Sequence, residues 1–180
     1  MIANVTHAAR TRQGLTDTEW SYRSPSTSLP AEATLSGWSA FREDGRYSFT
    51  GGDLRVVVEG RPPTWMLPTV KALCEVLDLP ADWDSYGSPT VDSHVVAAAI
   101  DILMQVMRDD TPAPSVVPTN RGSVQFEWHT RGVDIEVEVV SPQRIRLLFE
   151  DQASGVEKRE EITWDLRALA DAIGRLSYNG

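Results

Sequence analysis

The stretch from Val124 to Phe149 constrains the fold more than any other part of the chain. Val124, Phe126 and Trp128 alternate with Gln125, Glu127 and His129, and from Val133 to Val140 a second run alternates Ile135, Val137 and Val139 with Asp134, Glu136 and Glu138. A period of two sends successive side chains to opposite faces of a strand, so each run has one apolar and one polar face. A two-residue turn at Arg131-Gly132 makes them an antiparallel hairpin with Trp128 opposite Ile135 and Phe126 opposite Val137. A slip of one residue would turn the apolar set to solvent, so burial itself selects the register. After Ser141-Pro142-Gln143, the side chains of Ile145, Leu147 and Phe149 continue the apolar face, and Arg146 falls across from Glu138.

An apolar sheet face needs a cover, and three helical patterns supply it. Pro68 suits a first helical turn, after which Val70, Leu73, Cys74 and Leu77 recur at helical spacing until Leu79-Pro80. Asp92 or Ser93 caps a second helix with Val95, Val96, Ala99, Ile100, Leu103 and Met107 as its stripe, and Ala97-Ala98-Ala99 allows close approach of another element. From Asp165 to Leu176 the side chains of Leu166, Leu169, Ala170, Ile173 and Leu176 form a third. Val116 and Val117 start a strand ahead of the hairpin, and the polar run Val156 to Ile162 reads as a guarded edge. Upstream, Trp38 and Phe41 flank Glu43-Asp44-Gly45, Tyr47 and Phe49 follow, and Thr50-Gly51-Gly52-Asp53 breaks the chain before Leu54 to Val58. The expected fold is α+β: an antiparallel sheet of four to five strands with helices on one face, plus a small N-terminal β meander.

A chain of 180 residues fits one domain. The expected organisation is an arm over 1–34, flexible or docked on a partner, and a single α+β domain over 35–180. Within that domain the meander spans 35–60, two helices 61–110, and the sheet with its C-terminal helix 115–180. The arm is polar and shows neither period, yet it carries Trp20 and Tyr22. Such aromatics are expected to dock, on the domain or on a partner, which makes both candidate partner-binding residues.

Composition narrows the function. Net charge is −9, with 26 acidic against 17 basic residues and no clustered basic stripe, so a phosphate backbone is not an expected partner. Acids are densest between Arg61 and Asp110, where a basic protein surface would be attracted, although an acidic face that only aids solubility fits as well. Cys74 is the only cysteine, so no intrachain disulfide forms, and its amphipathic setting reads as core. Met1 to Val5 has no basic start or apolar run, and no segment approaches the ~18 apolar residues of a membrane span, so a cytoplasmic location is expected. Phosphate-cradling Gly-rich motifs, a Gly-x-Ser-x-Gly elbow and His-Glu-x-x-His are absent, and no cofactor is implied.

Two places remain for chemistry. On the polar hairpin face Glu127 sits opposite Glu136, His129 opposite Asp134 and Gln125 opposite Glu138. Like charges directly opposite are unfavourable and ask for a reason. The cluster Glu127, His129, Asp134 and Glu136 could hold a divalent cation or tune a carboxylate as acid or base; with Glu138 it could instead receive a basic partner. The second place is the loop Asp82-Trp83-Asp84-Ser85-Tyr86-Gly87, where Gly87 suits a positive φ and Asp84 or Ser85 can bond nearby backbone. Trp83, Asp84, Tyr86 and Gly87, with Trp128, are expected to form a structural joint whose aromatics fold back on the core. The alternative is a recognition surface with aromatic anchors.

Here the chain resembles a group of small uncharacterised bacterial proteins with a Trp-Asp-Ser/Gly-Tyr-Gly loop, a following helix and a Pro-Thr-x-x-Gly segment leading into a strand that ends Glu-Trp. The matching residues are Trp83, Asp84, Ser85, Tyr86 and Gly87, then Pro118, Thr119 and Gly122, then Glu127 and Trp128. The resemblance covers about Trp65 to Glu150. It implies a bacterial, intracellular protein and brings no catalytic residue with it. The expectation is a non-enzymatic protein-binding component of an accessory or defence system, of antitoxin, immunity or complex-subunit type, whose partner has a basic surface. The alternative is a small metal-dependent hydrolase using Glu127, His129, Asp134 and Glu136.

Overall fold

The computed structural model describes residues 4–12, 15–24, 41–43 and 46–177. The fold is α+β, with two five-stranded sheets and three helices. The C-terminal sheet holds β6 (Ser115–Pro118), β7 (Val124–Thr130), β8 (Val133–Ser141), β9 (Arg144–Asp151) and β10 (Val156–Ile162) in the spatial order 10-9-8-7-6, antiparallel throughout. The hairpin register is the expected one: Trp128 pairs with Ile135, Phe126 with Val137, Glu127 with Glu136, and Arg146 with Glu138. Arg131 and Gly132 both take positive φ, 56° and 73°, the two-residue turn whose twist matches that of the strands. Val124, Phe126, Trp128, Ile135, Val137, Val139, Ile145 and Leu147 are buried on the inner face. The edge strand β10 is exposed along its length except at Ile162, as its polar sequence anticipates.

The helices are α1 (Met66–Leu77), α2 (Ser93–Val106) and α3 (Arg167–Gly174). Asp92 caps α2, its carboxylate accepting from the His94 N–H at 2.7 Å. The Arg131 guanidinium donates to the Leu176 carbonyl, tying the end of the last helical segment to the β7–β8 turn.

The N-terminal half is larger than the expected meander. β3 (Phe41–Glu43), β4 (Arg46–Gly51) and β5 (Leu54–Glu59) form that meander; Trp38, and Asp44 and Gly45 of its first turn, lie outside the described residues. Where an arm was expected, β1 (Asn4–Arg12) and β2 (Leu15–Arg23) pair as a hairpin, and β2 runs parallel to β5. The remainder of the arm up to residue 34, apart from Ser24, lies outside the described residues. This pairing sets Trp20 beside Val56 and Tyr22 beside Val58, on the buried side of the sheet. Trp20 is 0% exposed, and its indole N–H reaches Asp101 on α2 at 2.8 Å. The two aromatics therefore dock on their own domain and are corrected from partner-binding candidates to core. Helix α1 lies against both β4 and β6, and α2 against β2, β7 and β8, so the helices contact both sheets and one apolar core joins them.

Candidate functional site

Four strands turn polar side chains to the outer face of the C-terminal sheet, the face away from the apolar core. Strand β7 contributes Gln125, Glu127 and His129, and β8 contributes Asp134, Glu136 and Glu138. Strand β9 adds Arg146, Leu148 and Glu150, and β10 adds Glu157, Arg159 and Glu161. The structure thus brings together every outer-face residue singled out from the alternation.

The charges of β7 and β8 are joined in two connected sets, one running through Glu127 and the other centred on Glu138. His129 Nδ1 lies 2.8 Å from Asp134, whose other oxygen accepts from Gln152 at 2.9 Å, and His129 Nε2 lies 3.5 Å from Glu127. The Gln125 amide donates to Glu127 at 2.8 Å and to Glu136 at 3.2 Å, bridging the facing carboxylates with a neutral group. Glu138 accepts from Arg146 at 2.8 Å and from Ser123 at 2.6 Å. Ser123 is in turn 2.6 Å from the Thr119 hydroxyl, so the chain of contacts runs off the sheet into the turn at 119–123. Among the described residues no Lys or Arg forms an ion pair with Glu127 or Glu136. Beside Glu136 in the register lies Leu148, half-buried on this largely polar face. A groove of about 390 Å³ opens there between Glu136 and Glu138 on one side and Arg159 and Glu161 on the other.

Protonation follows these contacts. The bond to Asp134 is the main cause that raises His129 above its ordinary 6.5. The bond from Gln152, followed by that from His129, lowers Asp134 below its ordinary 3.8. Burial acts to raise Glu138, but the Ser123 hydroxyl and the Arg146 guanidinium outweigh it and hold that carboxyl below the usual range. The histidine's contribution to stability is complete below 6.5 and fades as pH rises through its raised midpoint. The aspartate's is complete above 3.8 and fades as pH falls through its lowered midpoint. The pair therefore acts fully between those two ordinary values. An NMR titration is expected to place the His129 midpoint above 6.5 and to move it back toward 6.5 in Asp134→Asn; a midpoint indifferent to that substitution would contradict the pairing.

As for a metal, no group of three His, Cys, Asp or Glu able to hold an ion is found among the described residues. Cys74 faces the core, and burial pushes its thiol up to about 12, with Asp78 and Glu75 adding to the shift. A thiol so protonated is no nucleophile.

The loop at 82–89 departs from the expected joint. Trp128 ties the sheet to the connector through its indole N–H and the Pro112 carbonyl, 2.8 Å apart. Trp83 is half-buried. Tyr86, however, is 92% exposed and does not fold back on the core. Carboxylates lock the loop instead. Asp84 accepts from the Tyr86 N–H at 3.0 Å, the Ser88 N–H at 3.2 Å and the Ser88 hydroxyl at 2.5 Å, and Asp82 accepts from the Gly87 N–H at 2.7 Å. The Ser88 hydroxyl is the main cause that holds Asp84 below the usual carboxylate range. The backbone N–H groups of Tyr86, Gly87 and Ser88 are thus all satisfied within the loop. Gly87 takes the expected positive φ, 87°, and Asp82 and Ser85 share that region at 64° and 62°.

Periodicity alone did not reveal Leu148, Ser123 or Gln152. Leu148 hides because Leu147 beside it carries the apolar period; its signal is the register, which puts it next to Glu136. No helix among the described residues is long and apolar enough to cross a membrane. No protein-family model matches the chain, and neither a curated protein nor a solved structure matches it.

Proposed function

We propose that this protein is a non-enzymatic binding component of a bacterial accessory or defence system, of antitoxin, immunity or complex-subunit type, and that the outer face of its C-terminal sheet receives a basic protein surface. The observation that carries this reading is the facing pair Glu127 and Glu136, bridged by a neutral amide and by no Lys or Arg among the described residues. Like charges held opposite one another cost stability, and a partner's cation placed between them would remove that cost. Leu148 supplies apolar floor for the stem of an arginine or lysine whose head reaches the carboxylates.

Co-expression with the products of neighbouring genes tests the reading. A partner of basic surface is expected to co-purify, and Glu136→Gln is expected to weaken its binding about tenfold or more, an effect that shrinks as salt is raised. A stable monomer that retains none of these products, or a complex indifferent to Glu136→Gln, counts against it.

A further inference from the structure

The loop at 82–89 keeps Tyr86 almost wholly in solvent while its backbone is tied on all sides. Beyond the carboxylate bonds described above, the Asp82 N–H donates to the Ser88 carbonyl at 2.7 Å and the Ser85 N–H to the Asp82 carbonyl at 3.0 Å. Ser88 is buried, so the base of the loop is anchored while the Tyr86 ring stands in solvent. An aromatic ring carried on an ordered platform contacts a partner at low entropic cost, because the backbone ordering is complete before binding.

The surroundings say what that partner offers. From residue 72 to residue 107 the chain has six acidic residues and no Lys or Arg. Glu75, Asp78, Asp82 and Asp92 of these are exposed. Glu75 is paired with Lys71, whereas Asp82 and Asp84 lie in the loop itself, so a cation over the Tyr86 ring meets its π face and the local negative charge of the loop. The platform is also joined to the sheet face. Gly122, at φ 76°, packs so closely on the loop's exit that a Cβ there would lie 3.0 Å from the Thr90 carbonyl oxygen. Gly122 closes the same turn whose Thr119 and Ser123 hydroxyls lead to Glu138. Tyr86 thus stands on a platform whose base packs against the turn leading onto the face that carries Glu127 and Glu136.

We infer that the loop at 82–89 is a second contact surface, with Tyr86 as its anchor, for an arginine-bearing segment of a partner protein. The inference rests on the partner-binding reading of the sheet face and extends it, Tyr86 stacking on a guanidinium while nearby carboxylates balance its charge.

The probe is a synthetic twelve-residue peptide of alternating arginine and glycine, titrated into the full chain and followed by amide NMR shifts, with a glutamate–glycine peptide as control. The expected result is saturable shifts at Tyr86 and Gly87 with the arginine peptide only. Affinity is expected to fall about fivefold in Tyr86→Ala, to be retained in Tyr86→Phe, and to fall with no change in melting temperature, since an exposed ring contributes little to the fold. Affinity unchanged in Tyr86→Ala, with shifts confined to β7 and β8, overturns the loop assignment and leaves the sheet-face reading standing. Shifts at the loop that persist while Glu136→Gln leaves partner capture intact support the loop and overturn the sheet face. A wild-type chain that does not bind the arginine peptide overturns the loop assignment.

Discussion

Gly51→Ala is expected to destabilise the protein by about 3 kcal/mol, a large share of the ~5–15 kcal/mol that holds a domain of this kind together. Gly51 ends β4 where that strand presses on α1. A Cβ built there would lie 2.5 Å from the Cys74 carbonyl oxygen and 2.6 Å from its Cα, with the Cys74 carbonyl carbon at 2.9 Å. These are backbone atoms of a helix, so no side-chain rotation relieves the clash; the strand and the helix must move apart. The buried faces of Phe49, Leu54, Val70 and Leu73 open with them. Urea denaturation monitored by tryptophan fluorescence reads the effect as a lower midpoint. An unchanged midpoint would mean that β4 does not press on α1.

Trp20→Ala is expected to be at least as costly, about 3–5 kcal/mol, because the ring is buried throughout and no other residue can fill its space. The substitution also removes the hydrogen bond to Asp101, which joins β2 to α2 across the core. Trp20→Phe separates the two effects: it keeps most of the apolar volume and loses the N–H, and it is expected to cost about 1–3 kcal/mol. Had Trp20 been a partner-docking residue on a loose arm, neither substitution would alter the melting temperature of the isolated chain.

The C-terminal sheet was legible because its periodicity and its burial coincide. Val124, Phe126 and Trp128 alternate without interruption, Arg131-Gly132 suits a turn that needs two positive φ values, and only one register buries both apolar sets. The N-terminal hairpin was not legible, for a physical reason. In β2 the buried side chains Trp20 and Tyr22 alternate with Glu19, Ser21 and Arg23, but they continue from a threonine at position 18 rather than an aliphatic residue, so the apolar stripe is short. Its signal was the β-preferring run of Thr18, Trp20 and Tyr22 at a spacing of two. The parallel pairing of β2 with β5 is non-local and leaves no mark on either segment alone. At the candidate site the cross-strand partners followed from register, whereas the exposure of Tyr86 did not. The loop's backbone is held by Asp82 and Asp84, and which of its two aromatics is covered, Trp83 half-buried and Tyr86 exposed, leaves no mark in the local sequence.

If the outer sheet face receives a basic partner as proposed, Glu127 and Glu136 face each other at a cost to the free protein. The thermal stability of Glu136→Gln at low ionic strength tests it without a partner in hand. Removing one of two facing charges while keeping an oxygen for the Gln125 amide is expected to stabilise the fold by about 0.2–1 kcal/mol, a rise of roughly 1–3 °C. That gain should fade as salt is added. A melting temperature that falls instead would show the carboxylate pair to be part of what holds the sheet together, and would contradict the account.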